Sequence, residues 1–81
     1  MQRVSGKNDD AGHLLAIGAA LRQYRVDQGW SQEDLAHATG IDRSHMGRIE
    51  RGERNLTILN LIRIAAALKC PPSKLLRLAG M

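Results

Sequence analysis

Side chains suited to reading DNA bases are concentrated in the run RSHMGR, residues 43–48. An Arg guanidinium is a planar fork that donates two hydrogen bonds to O6 and N7 of guanine. On a helix, residues of successive turns share a face, so Arg43 and Arg48 lie on one face with Ser44 and Gly47. Ser44 can bond a base or a phosphate, whereas Gly47 has no side chain to offer. The spacing favours the two arginines as base readers.

A helix that precedes this run is predicted to begin after Ser31. Ser31 and Asp34 match an Asp variant of the capping box, in which each side chain accepts a hydrogen bond from the other residue's backbone N–H. The pattern predicts a helix over 32–39, which is helix 2 in chain order, with Leu35 facing inward. Gly40 is predicted to end the helix in the left-handed conformation.

The next helix presents the arginines. Asp42 can cap a helix over 43–51, in which Met46 and Ile49 are the large apolar residues and therefore face the core. Ile41 is predicted to fill the turn before it. A helix, a tight turn and a second helix with long polar side chains form the arrangement that proteins insert into the DNA major groove. The stretch therefore predicts a helix-turn-helix unit that binds duplex DNA.

A first helix is predicted over 11–28. Either Asp9 or Asp10 can accept hydrogen bonds at its start, and Gly29 can end it. Apolar side chains recur at helical spacing and define its inward face: Leu14, Ile17, Leu21 and Tyr24. Residues 1–8 are polar and unpatterned, so we expect them to form a disordered arm.

Two helices are predicted after the helix-turn-helix unit. Thr57 can cap helix 4, over 58–69. Its inward stripe consists of Leu61, Ile64, Ala65 and Leu68. Pro71 and Pro72 end this helix and suit the first turn of the last helix, helix 5, over 72–79.

The composition agrees with a helical fold. A chain of 81 residues has room for one small domain. Phe is absent and runs of β-branched or aromatic residues are missing, so Leu, Ile and Ala must fill the core. Such a core suits close-packed helices better than a sheet. We expect an all-α, compact five-helix domain over residues 9–81.

The charge balance favours contact with a polyanion. Lys and Arg number 12 against 8 Asp and Glu, a net charge of +4, although charge alone fits a solvated basic surface equally well. Gln32 lies at the exposed first turn of helix 2, where backbone N–H groups and the helix dipole favour a phosphate. Arg51, Arg54 and Asn55 come at or after the end of the helix over 43–51 and are predicted to contact the flanking DNA backbone.

Helices 4 and 5 contain more apolar residues than one inward stripe needs. Surplus apolar surface on a small domain usually has a packing partner. We expect a homodimer joined through these helices, with the candidate interface residues Leu59, Ile62, Leu75, Leu76 and Leu78. Two-fold symmetry would place two recognition helices ~34 Å apart and require a near-palindromic operator.

Other site chemistries find no support in the sequence. The three histidines and the lone Cys70 lack the spacing of zinc ligands, and one cysteine cannot form an intrachain disulfide. No nucleophile with a base, paired carboxylates or phosphate-cradling glycine loop is present, so we expect neither catalysis nor a metal, cofactor or small-molecule ligand. No run approaches a signal-peptide core or the ~18 apolar residues of a membrane span, so we expect a cytoplasmic protein without a membrane partner.

Residues 25–76 resemble the Xre-type helix-turn-helix family, which includes phage repressors and Cro. The shared motifs are SQEDLA at the start of helix 2, GID at the turn, IERGERN, and L-x-x-I-A-x-A-L in the fourth helix. The run DRSHMGRIERGERNLT is also similar to the controller proteins of restriction–modification systems, which are small dimeric regulators. The resemblance implies a phage-repressor-like fold and a role in transcription regulation, as repressor or activator.

The resemblance also implies roles for individual residues. The family's base-reading positions fall here on Arg43, Ser44, His45 and Arg48. Gln32 occupies a position that the family uses to bind phosphate. Arg25 and Glu50 occupy positions that pair in the family and tie the recognition helix to the scaffold.

A protein-interaction module is the alternative hypothesis. An antitoxin-like protein binds and silences a partner protein, and the surplus apolar residues of helices 4 and 5 would then form the partner's site. However, the second helix of the helix-turn-helix unit retains a set of DNA-reading residues that a pure adaptor does not need. DNA binding is therefore the favoured prediction.

Overall fold

Five α-helices account for most of the described residues of the computed structural model, which describes Asp9 and residues 11–81. They are α1 (His13–Asp27), α2 (Gln32–Thr39), α3 (Arg43–Glu50), α4 (Ile58–Ala67) and α5 (Pro72–Leu78). The predicted all-α, five-helix fold is confirmed, with helix ends within two residues of those expected. The arm predicted at residues 1–8, and Asp10 as an alternative cap, lie outside the described residues.

Local hydrogen bonds explain where the first two helices begin. The Asp9 carboxylate accepts from the backbone N–H of His13 at 2.8 Å and from that of Leu14 at 2.7 Å. At the start of α2, the Ser31 hydroxyl accepts from the Asp34 N–H at 2.9 Å, and the Ser31 N–H donates to the Asp34 carboxylate at 3.2 Å. Hydrogen bonding to Ser31 also holds the pKa of Asp34 below its ordinary value. The predicted capping box is therefore formed.

The fourth helix is two residues shorter than expected, because Lys69 takes the left-handed conformation with φ 58°. The backbone N–H of Cys70 turns back to the Ala65 carbonyl at 3.0 Å, which satisfies a carbonyl group of the last helical turn. The chain then enters α5 at Pro72, whose missing N–H is not needed in a first turn.

All five helices meet in one core. Each contributes one of the largest fully buried side chains: Leu21, Leu35, Met46, Ile64 and Leu75. Ile41, in the turn between α2 and α3, is buried as well, as predicted. Leu75 is 0% exposed, so it has no surface to offer to a second chain, and its place among the predicted interface residues is wrong. The sequence pattern could not separate Leu75 from its neighbours because α5 is apolar on more than one face.

A glycine sets how closely α1 approaches α3. A Cβ added to Gly18 would lie 2.5 Å from the backbone carbonyl oxygens of both Ile49 and Glu50. The contact buries Gly18 together with Leu21 and Arg25, whereas Leu14, Ile17 and Tyr24 of the predicted inward face are only half-buried. Gly18 was not among the residues predicted to matter for packing, although an isolated glycine inside a helical pattern often has a packing reason.

We predict that Gly18→Ala lowers the free energy of unfolding by about 2 kcal/mol, because an added methyl group must displace backbone atoms of α3. Urea denaturation measures the loss. The matched control is Ala19→Gly on the exposed face of the same helix, where only about 1 kcal/mol of helix propensity is lost. A stabilised Gly18→Ala variant, as helix propensity alone requires, would contradict the close approach.

Candidate nucleic-acid interface

The exposed face of α3 lines an open cleft that gathers residues from both helices of the helix-turn-helix. Arg43, Ser44 and Arg48 are exposed there, as predicted base readers must be. The complete lining consists of Gln32, Asp42, Arg43, Ser44, Gly47, Arg48 and Arg51. The structure therefore places three of the four proposed base-reading residues beside two of the proposed phosphate-binding residues.

The other predicted contact residues lie outside this cleft. His45 is half-buried, because it lies on the flank of α3 next to the buried stripe that holds Met46 and Ile49. Arg54 and Asn55 are exposed in the segment between α3 and α4. These positions suit contacts at the edge of a binding surface, and the assignment of each residue to base or phosphate stays a prediction.

The start of α3 differs in detail from the expectation. Asp42 occupies the N-cap position, but its carboxylate accepts a hydrogen bond from the Ser44 hydroxyl instead of forming a side-chain cap to the backbone. This hydrogen bond lowers the pKa of Asp42 from its ordinary value. Since the Ser44 hydroxyl donates to Asp42, its oxygen remains able to accept a hydrogen bond from a base or another donor.

A buried ion pair fastens the recognition helix to α1. The Arg25 guanidinium donates from Nε to Glu50 Oε2 at 2.7 Å and from Nη2 to Glu50 Oε1 at 2.9 Å. Its third nitrogen donates to the Trp30 carbonyl at 2.8 Å. The two residues are 7% and 5% exposed, so this two-point contact is shielded from water. The structure thus contains the pair that the family resemblance implied.

Gln32 extends this network from α2 to α3. Its Nε2 donates to Glu50 Oε1 at 3.0 Å. Its Oε1 lies 3.4 Å from the position that a Cβ on Gly47 would occupy. The side chain predicted to meet a phosphate is therefore oriented by the same carboxylate that anchors α3. All buried side-chain nitrogen and oxygen atoms of the described residues have hydrogen-bond partners, as a stable buried network requires.

A carboxylate that the sequence analysis missed lies within the basic surface. Glu53 accepts from Arg51 Nε at 2.9 Å and from Arg51 Nη2 at 3.2 Å, and both side chains are more than half exposed. The Arg51 hydrogen bond, together with the charges of Arg51, Arg48 and Arg54, lowers the pKa of Glu53. The available signal was an isolated acidic residue in the run RGERN.

Comparison with known proteins agrees with this geometry. Residues 21–75 match the family model described as Helix-turn-helix. The chain belongs to the helix-turn-helix family. It is 44% identical to the restriction–modification controller protein C.AhdI from Aeromonas hydrophila, whose crystal structure superimposes with a TM-score of 0.75, covering 76% of this chain and 94% of that one.

Two further proteins show the range of relatives. The master regulator for biofilm formation SinR, whose structure was solved in complex with DNA, is 34% identical with a TM-score of 0.69, covering 74% of this chain and 97% of that chain. A hypothetical transcription factor of Neisseria meningitidis is 41% identical over 60 residues, or 74% of this chain. The present chain spans 57% of the length of that Neisseria protein. The relatives named here are a controller protein, a master regulator and a hypothetical transcription factor.

Asp9 and residues 11–81 contain neither a membrane-spanning helix nor a cluster of metal ligands. None of the helices there combines the length and apolar character that crossing a membrane requires. In the same residues, no three His, Cys, Asp or Glu side chains are grouped in a way that could hold a metal ion. The half-buried thiol of Cys70 has a raised pKa, chiefly because burial disfavours the thiolate.

We predict strong coupling between Arg25 and Glu50 in thermodynamic stability. Arg25→Met should lower the free energy of unfolding by about 3–5 kcal/mol, because the Glu50 charge is left buried without its partner. The double variant Arg25→Met, Glu50→Leu should lose much less than the sum of the two single losses. Chemical denaturation of all four proteins measures the coupling, and additive losses would show that the pair does not act as a unit.

Proposed function

We propose that this protein binds duplex DNA sequence-specifically and regulates transcription. The observation that carries the proposal is the cleft on α3, where Arg43, Ser44 and Arg48 are exposed on a helix that is anchored from behind by a buried ion pair. Anchoring reduces the orientational freedom that the recognition helix must lose on binding. Membership of the helix-turn-helix family supports the same function.

Within this surface we assign base contacts and backbone contacts to different residues. Arg43 and Arg48 read bases through their planar forks, and Ser44 and His45 make shorter contacts to bases. Gln32, Arg54 and Asn55 hold the phosphate backbone, which supplies affinity and register without sequence information. We also propose that the protein acts in the cytoplasm. It binds DNA there without catalysing a reaction.

We further propose that the protein acts as a homodimer on a near-palindromic operator. On α4, Leu59 is 67% and Ile62 is 45% exposed, and on α5 Leu78 is 54% exposed, whereas Leu76 is half-buried. A second copy that covers these side chains would remove apolar surface from water. Two-fold pairing would set the recognition helices ~34 Å apart, about one turn of DNA.

The antitoxin-like alternative uses the same apolar side chains for a different protein. It leaves the exposed arginines on α3 without a role, since an adaptor needs no cleft of this kind. The similarity to a restriction–modification controller makes the genes of such a system one candidate target. DNA-binding regulation is therefore the better supported function.

We predict that Arg43→Ala and Arg54→Ala weaken DNA binding in different ways. Arg43→Ala should remove about 1–3 kcal/mol of discrimination at one base pair. Arg54→Ala should weaken binding to all sequences alike and reduce the slope of log affinity against log salt by about 1. Selection from random duplex DNA, followed by competition binding at several salt concentrations, measures both effects.

The control for this comparison is Arg22→Ala, which removes the same charge from an exposed position of α1 that does not line the cleft. It should leave the base preference intact. Equal losses on specific and random DNA for both test variants would contradict the division between base and backbone contacts.

We predict that Leu59→Glu gives a monomer, because two carboxylates cannot be buried together in an apolar interface. Sedimentation equilibrium at micromolar concentration measures the mass. The matched control is Leu15→Glu, which places the same charge on a similarly exposed leucine of α1 and should leave the dimer intact. A wild-type protein that stays monomeric at high micromolar concentration would refute the dimer.

A further inference from the structure

We propose that Arg51 reads a base, with Glu53 and Gly47 as the residues that position it. This inference rests on the proposed DNA binding and changes the role expected for Arg51, which its place at the end of α3 had suggested to be a phosphate contact. It also gives a function to Gly47. This residue lies in the middle of the predicted base-reading face and has no side chain with which to contact a base.

The Arg51 side chain extends back over α3 toward the start of that helix. Helical side chains lean toward the N-terminus of their helix, over the preceding turn. Accordingly, Arg51 Nη1 lies 3.1 Å from the place where a Cβ on Gly47 would be. A recognition helix enters the major groove with its N-terminal residues toward the bases, so this orientation carries the guanidinium toward the bases and away from the flanking backbone.

The space that Arg51 occupies depends on Gly47. The cleft lining includes both residues, with Arg43, Ser44 and Arg48 around them. Any side chain at position 47 would compete with the Arg51 guanidinium and with the Gln32 amide, whose Oε1 is 3.4 Å from the same Cβ position. Because Gly47 has no side chain, Arg51 from the next turn of the helix can contact a base at the place where residue 47 would otherwise do so.

Glu53 fixes the plane of the guanidinium. It accepts from Nε at 2.9 Å and from Nη2 at 3.2 Å, and so engages the side edge of the fork. The terminal edge consists of one N–H of Nη1 and the second N–H of Nη2. The contact with Glu53 uses neither of these two N–H groups. A terminal edge held in one plane matches the two acceptors O6 and N7 of guanine, whereas a phosphate contact needs no fixed plane.

Exposure of the Arg51–Glu53 pair fits a positioning role better than a stabilising one. Their side chains are 59% and 53% exposed, and ion pairs with such exposure contribute little to fold stability. Glu53 also carries a negative charge into a surface that meets phosphates, which weakens non-specific attraction. A carboxylate there is best explained by what it does to the neighbouring arginine.

The test uses the full chain and a comparison of Arg51→Lys, Glu53→Gln and Gly47→Ala with wild type. Lys keeps the charge and loses the planar fork, so a phosphate contact would keep its charge attraction, whereas the fixed two-point contact with a guanine would be weakened. We expect Arg51→Lys to reduce the preference for one G·C pair about 10-fold, with the salt dependence of binding unchanged. Binding to the selected site and to a set of single base-pair replacements gives both quantities.

The two positioning variants should relax the preference at the same G·C pair. Gly47→Ala should do so without lowering the melting temperature, since Ala favours a helix more than Gly does. If the preference for the G·C pair falls while the melting temperature does not, the cause is a loss of Arg51 positioning and not a general loss of structure.

Two results would overturn the inference while leaving DNA binding intact. One is an unchanged base preference in Arg51→Lys, which would return Arg51 to the phosphate contacts. The other is a Glu53→Gln variant that binds all sequences more tightly by the same factor, which would make Glu53 only a competitor of phosphate. A wild-type protein that selects no sequence at all would instead refute the proposed function itself.

Discussion

The buried ion pair between Arg25 and Glu50 is the interaction on which the DNA-facing surface depends. Its two hydrogen bonds of 2.7 and 2.9 Å join the end of α1 to the end of α3, and the remaining guanidinium nitrogen holds the loop at Trp30. Two charges removed from water are stable only when their hydrogen bonds are satisfied. The pair therefore tolerates little movement of α3, and the helix that presents Arg43 and Arg48 is oriented by it.

This anchoring divides α3 into two sides with different demands. The inner side must fit closely, because α1 reaches the backbone of Ile49 and Glu50 at Gly18 while Met46 fills the core. The outer side does not pack into the core, so its residues need not be apolar and can be of types that contact DNA. Gln32 of α2 contacts both sides, since its amide donates to the buried Glu50 carboxylate and the residue also lines the cleft. A disturbance of the core would consequently reach the reading surface.

Much of the fold was predictable from the sequence because its signals are local. The Ser31–Asp34 capping box and the left-handed Gly40 each act within a few residues, and so does the helix period of the apolar residues. The end of α4 was missed because Lys69, which has no special preference for it, takes the left-handed conformation. The burial of Leu75 was missed because α5 is apolar on more than one face, and only the position of the other four helices decides which face is inside.

For the site, the sequence by itself determined which residues are available to meet DNA: arginines on a short helix after a tight turn, with a polar residue at the start of the helix before it. Only the tertiary structure decided how they are arranged. It buried Gly18 against α3, set His45 to one flank, and brought Gln32, Gly47 and Arg51 together with Glu53 beside them. The reason is that the contacts of Gly18 and Gln32 join separate helices, whose relative placement is set by packing and by a buried ion pair rather than by any local pattern.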